Sequence, residues 1–200
     1  LYNEQRMNQG GDPYDYTVWN ADTDWQDEMF QTGFLTNNTV SITASGDRSK
    51  FYLGLGYVME EGSIKSEKLN KFTVNLHSEH KVTDFLRFGF QVNGVRALYP
   101  DAKGVGSALK AAPIAPVYDA ESGLLHTLPD FQRAQVWNPM IEPVLRGAHN
   151  KSANYRMAGN IYGELDLMKN LTFKATFSLD YASSQSRSYS PLIYVYNPDV

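Results

Sequence analysis

Hydrophobic and polar residues alternate with a period of two along much of this chain. Val40, Ile42 and Ala44 interleave with Ser41, Thr43 and Ser45. A tight Gly46-Asp47-Arg48-Ser49 turn follows, and Phe51, Leu53, Leu55, Tyr57 and Met59 then interleave with Tyr52, Gly54, Gly56, Val58 and Glu60. Such alternation puts successive side chains on opposite faces of a strand, so two runs around a short Gly/Asp turn predict a β-hairpin. A third run sets Phe72, Val74 and Leu76 against Thr73, Asn75, His77 and Glu79. After Val82-Thr83-Asp84 a fourth sets Leu86, Phe88, Phe90 and Val92 against Arg87, Gly89, Gln91 and Asn93. A fifth opposes Tyr155, Met157, Ile161, Leu165 and Leu167 to Arg156, Asn160, Glu164 and Asp166. Beyond Met168-Lys169-Asn170, the sixth runs from Leu171 to Tyr181 without a violation, Phe173, Ala175, Phe177 and Leu179 opposing Thr172, Lys174, Thr176, Ser178 and Asp180.

Two stretches lack this period. In residues 1–38, Gly10-Gly11-Asp12-Pro13 is a turn signal, and Asp22 to Phe30 is expected to hold a short helical turn capped by Asp22 or Thr23. Residues 100–150 carry six of the nine prolines. There only Ser107 to Ala112 suits a short helix, stopped by Pro113. A connection this long is unusual in a compact domain and is normally functional. The chain thus divides into a loop or strand approach (1–38), four strands in two hairpins (39–99), a long loop (100–150), two strands (151–184) and the start of a further loop (185–200), the loops being extracellular if the family resemblance described below holds.

Three features select among all-β architectures. The strands run near ten residues, which suits crossing a bilayer at a tilt of roughly 45°, whereas globular strands average about 5–6. Short turns alternate with long connections, as in outer-membrane barrels. Charge sits deep inside the strands on the polar face, at Arg87, Arg156, Glu164, Lys174 and Asp180. Facing a wet lumen these cost little, whereas a dry core would demand a partner for each. The expected fold is an antiparallel transmembrane β-barrel segment, with those five residues facing the lumen. Phe51, Phe85, Tyr155 and Phe173 lie near strand ends on the apolar face, where aromatic girdles sit. Six strands cannot close a barrel or leave open edges in hydrocarbon, so the chain reads as a piece of something longer. Its polar start and its Tyr196-Asn197-Pro198-Asp199-Val200 end fit that expectation, and a leader peptide is not legible in residues 1–10.

Composition sharpens this reading. The 200 residues carry 18 basic and 22 acidic side chains, a net charge of −4, which argues against a nucleic-acid partner. The chain has no cysteine, so disulfides, thiolate metal sites and cysteine nucleophiles are excluded. Mean hydropathy lies on the polar side. A barrel produces that average while one face stays oily, because its apolar residues occupy every second position.

Candidate chemistry is sparse. The acids Asp12, Asp15, Asp22, Asp24, Asp27 and Glu28 lack the EF-hand register and read as solvated or capping acids. His77, His80, His126 and His149 form no metal-binding spacing, and His77 and His80 would point to opposite strand faces. No G-x-S-x-G elbow occurs, and Gly104-Val105-Gly106 is too little for a phosphate loop. No catalytic residues, metal or cofactor are expected, and the chain reads as no enzyme. The long loop's aromatics, Tyr99, Tyr118, Phe131 and Trp137, are candidates for contacting a ligand or a lid, because sugars and peptides are often gripped by aromatic faces.

An ordered series of motifs carries a family likeness. Thr23-Asp24-Trp25-Gln26-Asp27-Glu28-Met29-Phe30 followed by Gly33 resembles the TDWQDEIF..G block of SusC/RagA-like TonB-dependent outer-membrane transporters of Bacteroidota. Val40 to Gly46 with Ser49-Lys50-Phe51-Tyr52 is similar to the hairpin that follows it in that family, and Gly56-Tyr57 with Glu61-Gly62 to its continuation. Val82-Thr83-Asp84-Phe85-Leu86 resembles the next turn, with Phe85 where the family often has Trp. Ala115-Pro116-Val117-Tyr118-Asp119 with Gly123 resembles a loop motif, and Asn138-Pro139 a downstream one. The resemblance runs from about residue 22 to the end.

This resemblance implies a barrel of about 22 strands, with a plug and TonB-contacting segment outside these residues. It implies an outer-membrane protein that imports oligosaccharides or peptides with a SusD-like lipoprotein as lid and TonB as energy source. Short turns would then be periplasmic and long loops extracellular, with lipid against the apolar face. The alternative is a secreted β-sandwich that binds glycans, which would bury Phe173, Phe177 and Leu179 in a dry core.

Overall fold

In the computed structural model the described residues are 2–13, 15, 17–100, 105–133, 135–146, 150–189 and 191–198. The elements in order are α1 (Tyr2–Asn8), α2 (Trp25–Met29), β1 (Phe34–Ser45), β2 (Ser49–Glu61), β3 (Lys68–Lys81), β4 (Leu86–Pro100), α3 (Val105–Ala108), β5 (Leu125–His126), α4 (Asp130–Arg133), a π-helical turn (Ile141–Arg146), β6 (Lys151–Met168), β7 (Leu171–Arg187) and β8 (Val195–Tyr196). They fall into two compact units, a sheet unit of Thr32–Asp101 with Ala148–Tyr189 and a loop unit of Leu1–Gln31, Ala102–Gly147 and Ser190–Val200.

The sheet unit is one antiparallel six-stranded sheet, ordered β1-β2-β3-β4-β6-β7. Its strands are 12 to 18 residues long. Each exceeds the run of strict alternation that predicts it, because the ladder continues through polar residues at the long-connection end. Register joins the alternating runs into two continuous faces. Val40 stands opposite Leu55, Leu55 opposite Val74, Val74 opposite Gly94, Gly94 opposite Met157 and Met157 opposite Tyr181. One row over, Ser41, Gly54, Asn75, Asn93, Ala158 and Asp180 line up in the same way.

The apolar face is bare. Phe177 is 70% exposed and Val40 67% exposed, and Phe173 and Leu179 are exposed as well. This overturns the β-sandwich alternative, which needs Phe173, Phe177 and Leu179 in a dry core. Among the described residues the only other sheet is the two-residue β5-β8 ladder, so no second sheet is available to pack against this face. The ten residue steps from Leu171 to Tyr181 span about 33 Å at ~3.3 Å per residue. At a tilt of ~40° that length covers about 25 Å, the height of the lipid-facing band in outer-membrane barrels. Tyr57, Phe72 and Tyr155 stand at the upper limit of the band, the first two with ring centroids 4.7 Å apart. The fold is therefore an all-β segment of an antiparallel transmembrane barrel, with its two edge strands, β1 and β7, unpaired among the described residues.

The loop unit has its own small core: Trp19, Trp25, Met29, Ala115, Leu125, Leu128, Met140 and Ile141 are all buried. The expected 22–30 helical turn is α2, but its N-cap is Asp24 rather than Asp22 or Thr23. The Asp24 carboxylate accepts from the Gln26 and Asp27 amides, whereas the Thr23 hydroxyl is committed to the Ala115 carbonyl at 2.8 Å. The helix expected at 107–112 lies instead at α3, over 105–108. The Ser107 carbonyl accepts from Lys110 and Ala111 to close the turn. The Ala112 amide then leaves to donate to Gln132 Oε1.

Candidate functional site

The five charged residues singled out in the strands share the polar face and are ion-paired there. Arg156 donates to Asp180 from Nε at 3.1 Å and from Nη2 at 2.6 Å, a two-point pairing. Glu164 is held between Lys174 at 2.7 Å and Arg87 at 3.4 Å. Arg87 also reaches Asp166 at 3.6 Å, and the Thr172 hydroxyl donates to that carboxylate at 2.6 Å. Sequence reasoning passed over Tyr162 and Glu79, which extend the network. The Tyr162 hydroxyl donates to Glu79, and the Lys174 ammonium sits 4.4 Å from the Tyr162 ring centroid. The glycine at position 89, amid polar positions of the fourth run, was the available signal, because a glycine in a strand marks a close approach. Charges paired across strands this way form a hydrophilic surface with little net charge.

In the loop unit, the motif residues are staples. The Trp25 indole donates to the Ala112 carbonyl at 2.9 Å, and the Ala21 and Thr23 amides donate to the Ile114 and Pro113 carbonyls. Asp119 folds the turn after Tyr118. Its Oδ2 accepts from the Ser122 amide at 2.7 Å and hydroxyl at 2.6 Å, and these bonds hold its carboxyl below the ordinary aspartate range. Gly123 closes this turn at a φ of 68°, where glycine carries no Cβ penalty. Asn138 is buried and spends its whole side-chain amide. Its Nδ2 donates to the Val117 and His126 carbonyls at 3.0 and 2.8 Å, and its Oδ1 accepts from the Met140 amide at 2.9 Å. His126 lies beneath, between the Trp19 and Tyr196 rings at centroid distances of 5.0 and 5.2 Å, with Nδ1 2.8 Å from the Thr127 carbonyl.

The four candidate aromatics are not brought together as one cluster. Tyr99 belongs to β4 in the sheet unit and is exposed. Tyr118, exposed, bridges to Leu125 at the entry to β5. Phe131 is half-buried in α4. Trp137 is 64% exposed and lines a cleft of about 230 Å³ with His126, Thr127, Leu128, Val136 and Ile141. Thr127 Oγ1 is buried without a hydrogen-bond partner in the wall of this cleft. Leu109, Leu124, Leu192 and Tyr194 add further exposed apolar surface to the loop unit.

Metal chemistry finds no support among the described residues, where no group of three potential ligands converges. His77 faces the polar side, and His80 the apolar side, its Nε2 2.9 Å from Ser78 Oγ. His149 lies outside the described residues.

A barrel wall with an exposed apolar face and an ion-paired polar face defines a membrane-spanning class, and known proteins narrow it. No family profile matches the chain. It is 26% identical over 189 residues to TonB-dependent receptor P3 of Formosa agariphila, covering 88% of this chain and 18% of that protein. It is 30% identical over 115 residues to the TonB-dependent receptor SusC of Bacteroides thetaiotaomicron, covering 56% of this chain and 12% of that protein. In structure it is similar to a RagAB peptide importer in a closed-closed state, with a TM-score of 0.69 at 18% identity, over 90% of this chain and 21% of that one. The resemblance to SusC/RagA-like TonB-dependent receptors thus holds in sequence and in fold. These relatives carry receptor or importer names, not enzyme names. The chain spans less than a fifth of the length of the curated relatives it matches.

Proposed function

We propose that this chain is a wall segment of a TonB-dependent outer-membrane transporter that imports oligosaccharides or peptides together with a SusD-like surface lipoprotein. The observation that carries the reading is the division of one sheet into an exposed apolar face and a polar face whose charges pair with one another. The first suits lipid, and the second suits a wet lumen. In this reading Arg87, Arg156, Glu164, Lys174 and Asp180 face the lumen. The turns at 46–49, 82–85 and 169–170 lie in the periplasm, and residues 100–150 lie outside the cell. The loop unit's exposed Tyr118, Trp137, Leu192 and Tyr194, with Phe131 and Tyr99, supply contacts to the ligand or to the lipoprotein lid. TonB engages a segment of the receptor outside these residues.

Deleting the gene for the full-length receptor and supplying labelled oligosaccharide or peptide pools to the cells tests this. Uptake should fall on deletion, return on complementation and vanish in cells lacking TonB. Uptake that persists without TonB would overturn the energy coupling. Co-purification of a surface lipoprotein with the complemented receptor, weakened by Trp137→Ala with Leu192→Ala, tests the lid contact.

A further inference from the structure

The upper end of the outward face carries a charge imbalance that the rest of the sheet avoids. Lys151 on β6 and Arg187 on β7 are direct cross-strand partners. Both occupy the face that continues Met157, Ile161, Phe177 and Tyr181, and both are exposed. Two like charges directly opposite destabilise a ladder, because their Cβ atoms lie only about 5 Å apart. Arg96 on β4 joins them on this face, its guanidinium 5.8 Å from the centroid of the Tyr155 ring. The outward positions of β4, β6 and β7 hold no carboxylate from residue to residue: Leu86 to Leu98, Ala153 to Leu167 and Leu171 to Gln185 alternate as apolar or neutral side chains apart from Arg96. Across the sheet the same level is balanced, because outward-facing Lys68 pairs with Glu61 at 2.8 Å.

Among the described residues Lys151 and Arg187 therefore stand without an acidic partner at the end of the outward face, and Arg96 stands four residues lower, level with Tyr155. An interface of this composition fits a ligand with an acyl body and an anionic head. The bilayer supplies such molecules, and a phosphate takes hydrogen bonds from guanidinium and ammonium together. We propose that Lys151 and Arg187 bind the phosphate of an anionic membrane lipid whose acyl chains lie on the apolar face below, past Arg96 and Tyr155. The Lys151–Arg187 opposition is then compensated by the bound phosphate. The inference rests on the membrane placement of the apolar face and not on the transport reading.

The test uses the full-length receptor in detergent, titrated with diphosphoryl lipid A, with its dephosphorylated form, with phosphatidylcholine and with inorganic phosphate, bound lipid being counted by native mass spectrometry. Diphosphoryl lipid A should bind in preference to the two lipids lacking net negative charge. Lys151→Gln with Arg187→Gln should weaken it about thirtyfold, each cation near an anionic headgroup contributing roughly fivefold. Lys151→Arg should keep binding, and Lys68→Gln with Glu61→Gln should leave it unchanged. The double variant removes a repulsion, so its folding is not at risk. Equal binding of all lipids, undiminished binding by the double variant, or complete displacement by millimolar inorganic phosphate would overturn the lipid site, the last by showing a free-anion site instead. A receptor released from membranes by alkaline carbonate without detergent would instead sink the membrane placement itself.

Discussion

The Tyr162 hydroxyl on β6 donates to the Glu79 carboxylate on β3 at 3.0 Å, passing over β4, the strand between them. The crossing is open because Gly89 sits directly opposite Tyr162 and contributes no side chain. A Cβ at Gly89 would collide with the Tyr162 ring. Glu79 lies 3.8 Å from Lys50 on β2, and Lys174 on β7 covers the same ring. One glycine thus allows one tyrosine to join a line of polar contacts among β2, β3, β6 and β7, across β4.

Gly89→Val in the full-length receptor should lower resistance to urea by about 1–3 kcal/mol, the usual cost of overpacking a well-fitted site. Tyr162→Phe removes only the hydrogen bond and should cost about 1 kcal/mol. Combining the two should cost less than the sum if the ring is what valine displaces. Additive losses in a double-mutant cycle would show that the glycine and the tyrosine act independently.

Phe177 and Ser178 are adjacent in β7 and face opposite ways, Phe177 opposite Ile161 and Ser178 opposite Asn160. Phe177 stands near the middle of the apolar band, so Phe177→Arg should cost about 2–4 kcal/mol in receptor folded into lipid vesicles. Ser178→Arg places the same charge on the polar face and should change urea unfolding little. Equal costs at the two positions would contradict the assignment of faces.

Asn138 satisfies the Val117 and His126 carbonyls and the Met140 amide from a buried position. Asn138→Ala leaves these groups without their partner, at about 1–3 kcal/mol for each one that water does not reach. The loss is local to the loop unit. Intact cells should show new protease cleavage between residues 117 and 140, while the heat resistance of the barrel stays as before. Cleavage unchanged from the parent would mean that the Asn138 bonds are dispensable to the loop.

How much of this was legible depends on the range of the contacts. The period of two from Leu171 to Tyr181 fixes which side chains share a face, so the grouping of Arg87, Arg156, Glu164, Lys174 and Asp180 follows from local pattern. Their pairing does not, because Arg156 meets Asp180 only through the β6–β7 register. The loop unit is harder still. Trp25 reaches Ala112 and Thr23 reaches Ala115 across almost half of the chain, so a stretch that reads as structureless holds a core. Asp24, and not its acidic neighbour two residues before, caps α2 because long-range bonds fix where the helix can begin. The loop-unit motif residues turn out to be staples, and Trp137 and Thr127, which line the cleft beside the motif residue Asn138, lie outside those motifs.

Asp119 offers a pH test of the loop. Its bonds from the Ser122 hydroxyl and amide hold its carboxyl below the ordinary aspartate value. A depressed carboxyl stabilises the fold while ionised, so its contribution is complete above the unfolded aspartate value, near 4, and is lost as pH falls through the lower folded value. At neutral pH the turn around Tyr118 should therefore be fully formed. Hydrogen exchange at the Ser122 and Gly123 amides should accelerate, relative to the intrinsic rate, only in acid below that range. Asp119→Asn keeps an acceptor oxygen but removes the charge, so it should flatten this acid dependence and leave the turn looser at neutral pH. Protection at these amides that stays constant through the acid range in the parent protein would show that the carboxylate does not hold the turn.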